Sequence, residues 1–264
     1  MWRAATDGGS WLRIRYAETD DWAEFVIDPL GTTVSVSHSE EVVWDELCEL
    51  LLGPVFSCVL AQRGVTCVHA GVVKFDDHVV GFVGAKGAGK STTSLAFVKH
   101  GAAVVSDDVA VLCELDGRPA VSIGAPRLRV GQHSAEVLCG SFDALEPMWA
   151  ETTPRPVKRY LEVQAPPADA PLALDALYFL APRHLIDQEP AIRPMPAVEA
   201  VPRLMANRHM VDLLERSAHQ RDFAVLARVA AAVRICELLR PDGLHAMEQT
   251  VHAVLADLVA VAVA

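Results

Sequence analysis

The run Gly84-Ala85-Lys86-Gly87-Ala88-Gly89-Lys90-Ser91 has the spacing GxxxxGK[ST], which suits the cradling of a polyphosphate. Glycines let the backbone close around an anion with its N–H groups turned inward. A helix starting where the loop ends adds its positive dipole end. Lys90 is placed to neutralise β- and γ-phosphate oxygens, and Ser91 offers a hydroxyl to magnesium. Thr92 follows in the first helical turn, so the expected nucleotide-binding set is Gly84, Ala85, Lys86, Gly87, Ala88, Gly89, Lys90, Ser91 and Thr92. Lys86 reads as solvent-facing. The chain holds only five lysines, Lys74, Lys86, Lys90, Lys99 and Lys158, and two fall in this loop.

A second chemical feature is Asp107-Asp108, at the end of the apolar run Ala102-Ala103-Val104-Val105. A carboxylate at the end of such a strand can hold the magnesium of a phosphate-loop protein. Its neighbour can take the proton of an attacking hydroxyl. Adjacent strand residues face opposite ways, so the two acids are expected to do different work. A solvated Asp-Asp turn is the plainer alternative. His69, in Val68-His69-Ala70-Gly71, stands among apolar residues and by itself reads as a satisfied core histidine. Arg155, Lys158 and Arg159 form a basic cluster that either clamps phosphate or is an ordinary charged loop. Arg127 and Arg129 invite the same two readings, as do Arg203 and Arg208. His184, His209 and His245 show no metal-binding spacing, and no metal is assigned to them.

His69, the Gly84–Ser91 loop and Asp107-Asp108, in this order and spacing, resemble the kinase domain of HPr kinase/phosphorylase. ATP-dependent phosphoenolpyruvate carboxykinase is similar at a greater distance. The likeness covers about residues 65–112, and the tail with Ile235-Cys236-Glu237-Leu238 and Pro241 looks like that of short HPr-kinase-like proteins, some of which phosphorylate a serine of lasso-peptide precursors. The resemblance implies a mixed-sheet α/β phosphate-loop core with a helical C-terminal portion. It implies catalytic roles for Asp107 as general base, His69 beside it and Lys90 on the phosphates, with Ser91 and Asp108 as metal residues. It also makes a homo-oligomer compatible with the family; Arg127, Arg155, Lys158 and Arg159 remain, from their charge alone, the candidates for phosphate or substrate contacts. The expected activity is transfer of the γ-phosphate of ATP, with GTP as the alternative nucleotide, and with Mg2+, to a serine of a peptide or protein. A small-molecule hydroxyl kinase is the close alternative. A nucleotide-gated binding or scaffold protein without transfer is the alternative of another class.

Composition bounds these readings. The chain has 264 residues and 52% hydrophobic residues but only 6% aromatic ones, so an aliphatic core is expected. A net charge of −11 repels a phosphate backbone, which argues against nucleic acid as partner. No apolar run reads as a signal or a membrane span, and six cysteines without a CxxC pair read as reduced thiols, so a cytoplasmic protein is expected. One unit is expected over residues 1–264: a β/α lead at 1–64, the phosphate-loop core at 65–180 and a mostly helical portion at 181–264. Alternation across 10–37 predicts antiparallel strands. A helix is expected from Glu40 to Leu52, with Ser39 as cap and Gly53 as stop, then a second to Gln62. Strands are expected near 66–73, 78–83, 102–105 and 172–180, and a helix from Ser91 to His100. The proline-rich stretches 143–171 and 181–202 read as exposed loops, and 198–260 as mostly helical.

Overall fold

The computed structural model describes residues 2–6, 9–18, 20–148, 158–167, 169–182, 189–209 and 216–262. In chain order the strands and helices are β1 (Trp2–Thr6), β2 (Gly9–Glu18), β3 (Asp21–Ile27), β4 (Val34–His38), α1 (Trp44–Leu50), α2 (Phe56–Gln62), β5 (Cys67–Val68), β6 (Ala70–Phe75) and β7 (His78–Val83). There follow α3 (Lys90–Lys99), β8 (Ala103–Ser106), β9 (Ala110–Leu115), β10 (Arg118–Val121), β11 (Arg127–Gly131), α4 (Gln132–Cys139), β12 (Glu146–Pro147), β13 (Lys158–Glu162), β14 (Leu172–Ala173) and β15 (Ala176–Leu180). The chain ends with β16 (Ala191–Pro194), α5 (Ala197–Ala206), α6 (Arg216–Ala232), β17 (Arg234–Leu239) and α7 (Met247–Ala262).

The central sheet has the order β16-β17-β15-β7-β6-β8. Strands β17, β15 and β7 run parallel, and the other pairs are antiparallel, so the class is mixed α/β. Side chains alternate between its faces. Val72, Leu177 and Phe179 pack with Leu204 of α5 and Leu226 and Val229 of α6. Their neighbours Val73, Phe82 and Tyr178 pack with Phe97 of α3 and Val251 and Val254 of α7. Both faces are therefore covered, as a sheet with parallel central strands requires. Burying each large aliphatic or aromatic side chain contributes on the order of 1.5–3 kcal/mol.

The N-terminal strands form a separate four-stranded antiparallel sheet, β1-β2-β3-β4. Its core joins Ile14, Phe25 and Ile27 to Leu47, Leu50, Val55 and Val59 of the following helices. Smaller sheets are β14-β10-β9-β5 and β11-β13-β12. No helix among the described residues is long and apolar enough to cross a membrane.

Several local expectations change. Helix α1 starts at Trp44, because the Ser39 hydroxyl accepts the Trp22 N–H at 3.1 Å instead of capping a helix. Gly53 does not stop the chain's helical course. Residues 51–55 form a π-helical turn around Pro54 and lead straight into α2; proline lacks the N–H that a regular turn would use. The stretch 143–171 contains β13, whose partner β11 supplies its hydrogen bonds. The stretch 181–202 contains β16 and the start of α5. The segment expected to be helical around Ile235 is β17, a strand inside the main sheet.

Candidate active site

Strand β7 ends at Val83 and α3 begins at Lys90, so the glycine-rich loop is a strand-to-helix turn. Gly87 and Gly89 lie at φ 83° and 95°, backbone that side chains rarely adopt. A Cβ on Gly84 would lie 3.0 Å from that of Ala88, so the loop closes tightly there. Lys90 Nζ donates to the Gly84 carbonyl at 2.7 Å and the Ala85 carbonyl at 3.1 Å. Burial lowers its pKa, while the charges of Asp108 and Asp107 act in the opposite direction. Beneath the loop, the Arg240 guanidinium donates to the Ala88 carbonyl and reaches Thr93 Oγ1 at 3.4 Å.

The acid pair lies at a sharp bend. The pairing of β6 with β8 shifts register at Val72/Val73, a bulge of the kind that re-aims side chains. The Val109 N–H donates to the Asp107 carbonyl at 3.0 Å, and Asp108 sits at φ 74°. That left-handed backbone costs a non-glycine residue on the order of 1 kcal/mol. The bend sends the two carboxylates to different partners. Asp107 accepts the Ser91 hydroxyl at 3.0 Å and the Arg129 backbone N–H at 2.9 Å. Asp108 faces His69 Nδ1 at 3.1 Å and Arg129 Nη1 at 3.0 Å, with His209 Nε2 at 4.0 Å.

These environments push the acids apart. Burial raises the pKa of Asp107, helped by the charge of Asp108, and outweighs its hydrogen bonds from Arg129 and Ser91. Burial also acts upward on Asp108. There the His69 hydrogen bond and the charges of His69, Arg129 and His209 prevail, holding its carboxyl well below the usual range. Burial lowers the pKa of His209.

Backbone pairing brings the two histidines together. His69 N–H donates to the Asn207 carbonyl at 2.7 Å, and His209 N–H to the Cys67 carbonyl at 3.1 Å. Their rings meet edge-on with centroids 5.6 Å apart. His69, Asp108 and His209 each bring a ligand atom within 4.8 Å of the others, so these three could converge on one cation. His209 Nδ1 is buried without a hydrogen-bond partner among the described residues.

A cleft of about 880 Å³ opens over this group. Ala85, Lys86, Gly87, Gly89, Lys90, Ser91 and Thr92 line one side, and His69, Asp108, Arg129 and His209 another. Lys158 also lines it, as does Glu49 from α1. Glu49 lies 3.5 Å from Arg129 and accepts the Tyr160 hydroxyl; burial raises its pKa against the pull of Arg129 and Arg127. Asp107, Gly84 and Ala88 are not among the lining residues; the Asp107 carboxylate lies behind Ser91.

Several expected basic contacts lie elsewhere. Arg127 pairs with Glu162 at 3.4 Å and covers the Tyr160 ring. Arg159 donates to the Asp143 and Leu145 carbonyls and covers Phe142. Arg203 holds Glu237 at 2.9 Å. Arg208 borders the cleft, but its guanidinium turns inward to Asp222 at 2.8 Å. Arg127, Arg159 and Arg203 have carboxylate, carbonyl or aromatic partners within the fold and do not line the cleft, whereas Arg208 lines it with its guanidinium turned away. Arg155 and His184 lie outside the described residues. Sequence reasoning did not single out Glu49 and assigned His209 no role, because no local spacing marks either one.

Magnesium fits the donors at the helix start. The Ser91 hydroxyl and Asp107 Oδ1 are hard oxygen donors 3.0 Å apart, the separation that two adjacent ligands would have at bonds of about 2.1 Å.

No family model matches the chain, and a search of curated proteins returns no relative. Among solved structures, the Hpr(Ser) kinase/phosphatase from Coxiella burnetii matches at 13% identity, over 74% of this chain and 93% of that one, with a TM-score of 0.38. A superposition that loose assigns no activity.

Proposed function

We propose that this protein transfers the γ-phosphoryl group of ATP to a hydroxyl, with a serine of a peptide or protein as the acceptor class. The observation that carries this reading is the hydrogen bond from Ser91 to Asp107, set beside a separate Asp108–His69–Arg129 group across one cleft. A phosphate-loop hydroxyl joined to a strand-end carboxylate is the arrangement that holds magnesium on a nucleotide. A second carboxylate, that of Asp108, facing the cleft that Ser91 lines, is what transfer to a hydroxyl adds.

The roles proposed for the two acids reverse those implied by the family resemblance. Asp107 and Ser91 would hold Mg2+, which when bound supplies charge neutralisation at the β- and γ-phosphates. Asp108 would accept the acceptor's proton. The acceptor oxygen forms a bond to Pγ as the bond from Pγ to the β–γ bridging oxygen breaks, and ADP leaves with that electron pair. A carboxylate held ionised suits this step, because proton transfer can follow bond formation in a loose transition state. His69 and Arg129 orient Asp108. Lys90 would exchange the loop carbonyls for phosphate oxygens, and the loop N–H groups would position the phosphates.

The test uses γ-labelled ATP, magnesium and a cell extract of the source organism separated by size. Label in the peptide or protein fraction that disappears with Asp108→Asn supports the reading. Label confined to small molecules moves the assignment to a metabolite kinase. Tight ATP binding with no Asp108-dependent label in any fraction counts against transfer.

A further inference from the structure

We propose that His100, Glu248 and His252 form a surface site for one zinc-class divalent cation, separate from the cleft. One ligand atom from each residue lies within 4.8 Å of the other two. Glu248 and His252 stand four residues apart on α7, the spacing that places both on one helix face. His100 is the residue that ends α3. None of the three lines the cleft.

The histidine at the centre of this group is already oriented. His100 Nδ1 lies 2.9 Å from the Ala96 carbonyl, and a carbonyl can only accept. Nδ1 therefore carries the proton, and Nε2 is left with its lone pair free for a metal. A ligating histidine is commonly fixed in this way by a backbone carbonyl on its other nitrogen. The His252 ring meets the His100 ring edge-on, with centroids 5.8 Å apart at 80°.

The donor chemistry selects the ion. Two imidazole nitrogens and one carboxylate oxygen suit Zn2+, with water completing the tetrahedron, whereas Mg2+ and Ca2+ prefer oxygen donors alone. Position favours a cation as well, because α3 directs its negative dipole end toward His100. All three side chains are exposed, so an ion can enter without refolding. A cation there would join the end of α3, whose other end is Lys90, to α7. Those helices already share a core through Phe97, Val251 and Val254.

The full chain, stripped with a chelator, is titrated with Zn2+ alone against a chromogenic chelator, and melting is followed with and without zinc. His252→Ala should bind one equivalent fewer than the wild type and lose the zinc-dependent rise in Tm contributed by that equivalent. Glu248→Gln should weaken the same equivalent about tenfold or more. His209→Ala, which alters the cleft group, should retain it. An unchanged metal-free Tm for His252→Ala and Glu248→Gln shows that folding is intact. Equal equivalents and equal affinity in wild type, His252→Ala and Glu248→Gln would overturn the site.

Discussion

Asp222→Ala removes the partner of a buried charge next to the cleft. The Arg208 and Asp222 side chains are 3% and 4% exposed, and their charged atoms lie 2.8 Å apart. Asp222 also accepts the Thr66 hydroxyl at 2.8 Å. Removing one partner of such a pair costs about 3–5 kcal/mol, because the remaining charge has no water to replace the lost ion. In a chain of this size that corresponds to a fall in Tm of roughly 6–20 °C. Replacing both partners together, as in Arg208→Met with Asp222→Leu, should recover most of the loss, since apolar substitutes of similar volume are often tolerated. The pair borders the segment that seats His209, so the single variant should also loosen His209 against His69. Urea and thermal melts of the two single variants and the double variant measure these terms. A cost below about 1 kcal/mol for Asp222→Ala, in the range of a solvated surface pair, would refute the reasoning. So would a double variant that shows the full sum of the single losses.

Three further outcomes follow from the site. Asp107→Asn should be at least as stable as the wild type at pH 7 without metal. Its folded pKa is raised above 3.8, so its favourable contribution is whole below that value and is lost as pH rises through the folded value. The difference between the two proteins in thermal melts should shrink as pH falls through the folded value toward 3.8 and level off below it, and a constant difference across pH would contradict it. Lys90→Ala should weaken ATP binding and transfer together, by roughly 10- to 150-fold, the range for hydrogen bonds to a charged group. Unchanged ATP affinity by calorimetry would remove the phosphate loop from the account. Lys158→Ala should weaken ATP binding, whereas Arg127→Ala and Arg159→Ala should leave it within about twofold, because those arginines bond within the fold and fall in the usual range for surface changes. The reverse ranking in the same titrations would show that the arginines reach the nucleotide.

How far the sequence could be read depended on whether the signal was local. The placement of the glycine-rich loop was readable because its glycines, Lys90 and Ser91 sit between an apolar strand and a helix. Asp107-Asp108 was readable as a pair at a strand end. That the two carboxylates part was expected from strand alternation, but the partners each one meets were not legible, because the bend at Asp108 depends on a left-handed backbone and a bulge in β8. His209 was hidden because it reaches His69 through the pairing of distant backbone segments. Strand β17 follows directly on the alanine-rich α6, and its apolar run carries no period that separates a buried strand from a helix. Strand β13 was masked by nearby prolines, while its hydrogen bonds came from β11.

The central claim is transfer of phosphate with Asp108 as the proton acceptor, and the most direct measurement compares Asp108→Asn with the wild type in ATP binding and in γ-label transfer to the peptide and protein fraction. The account predicts that Asp108→Asn binds Mg-ATP with near wild-type affinity and transfers no label. Undiminished transfer by Asp108→Asn would contradict it, as would a loss of ATP binding equal to the loss of transfer.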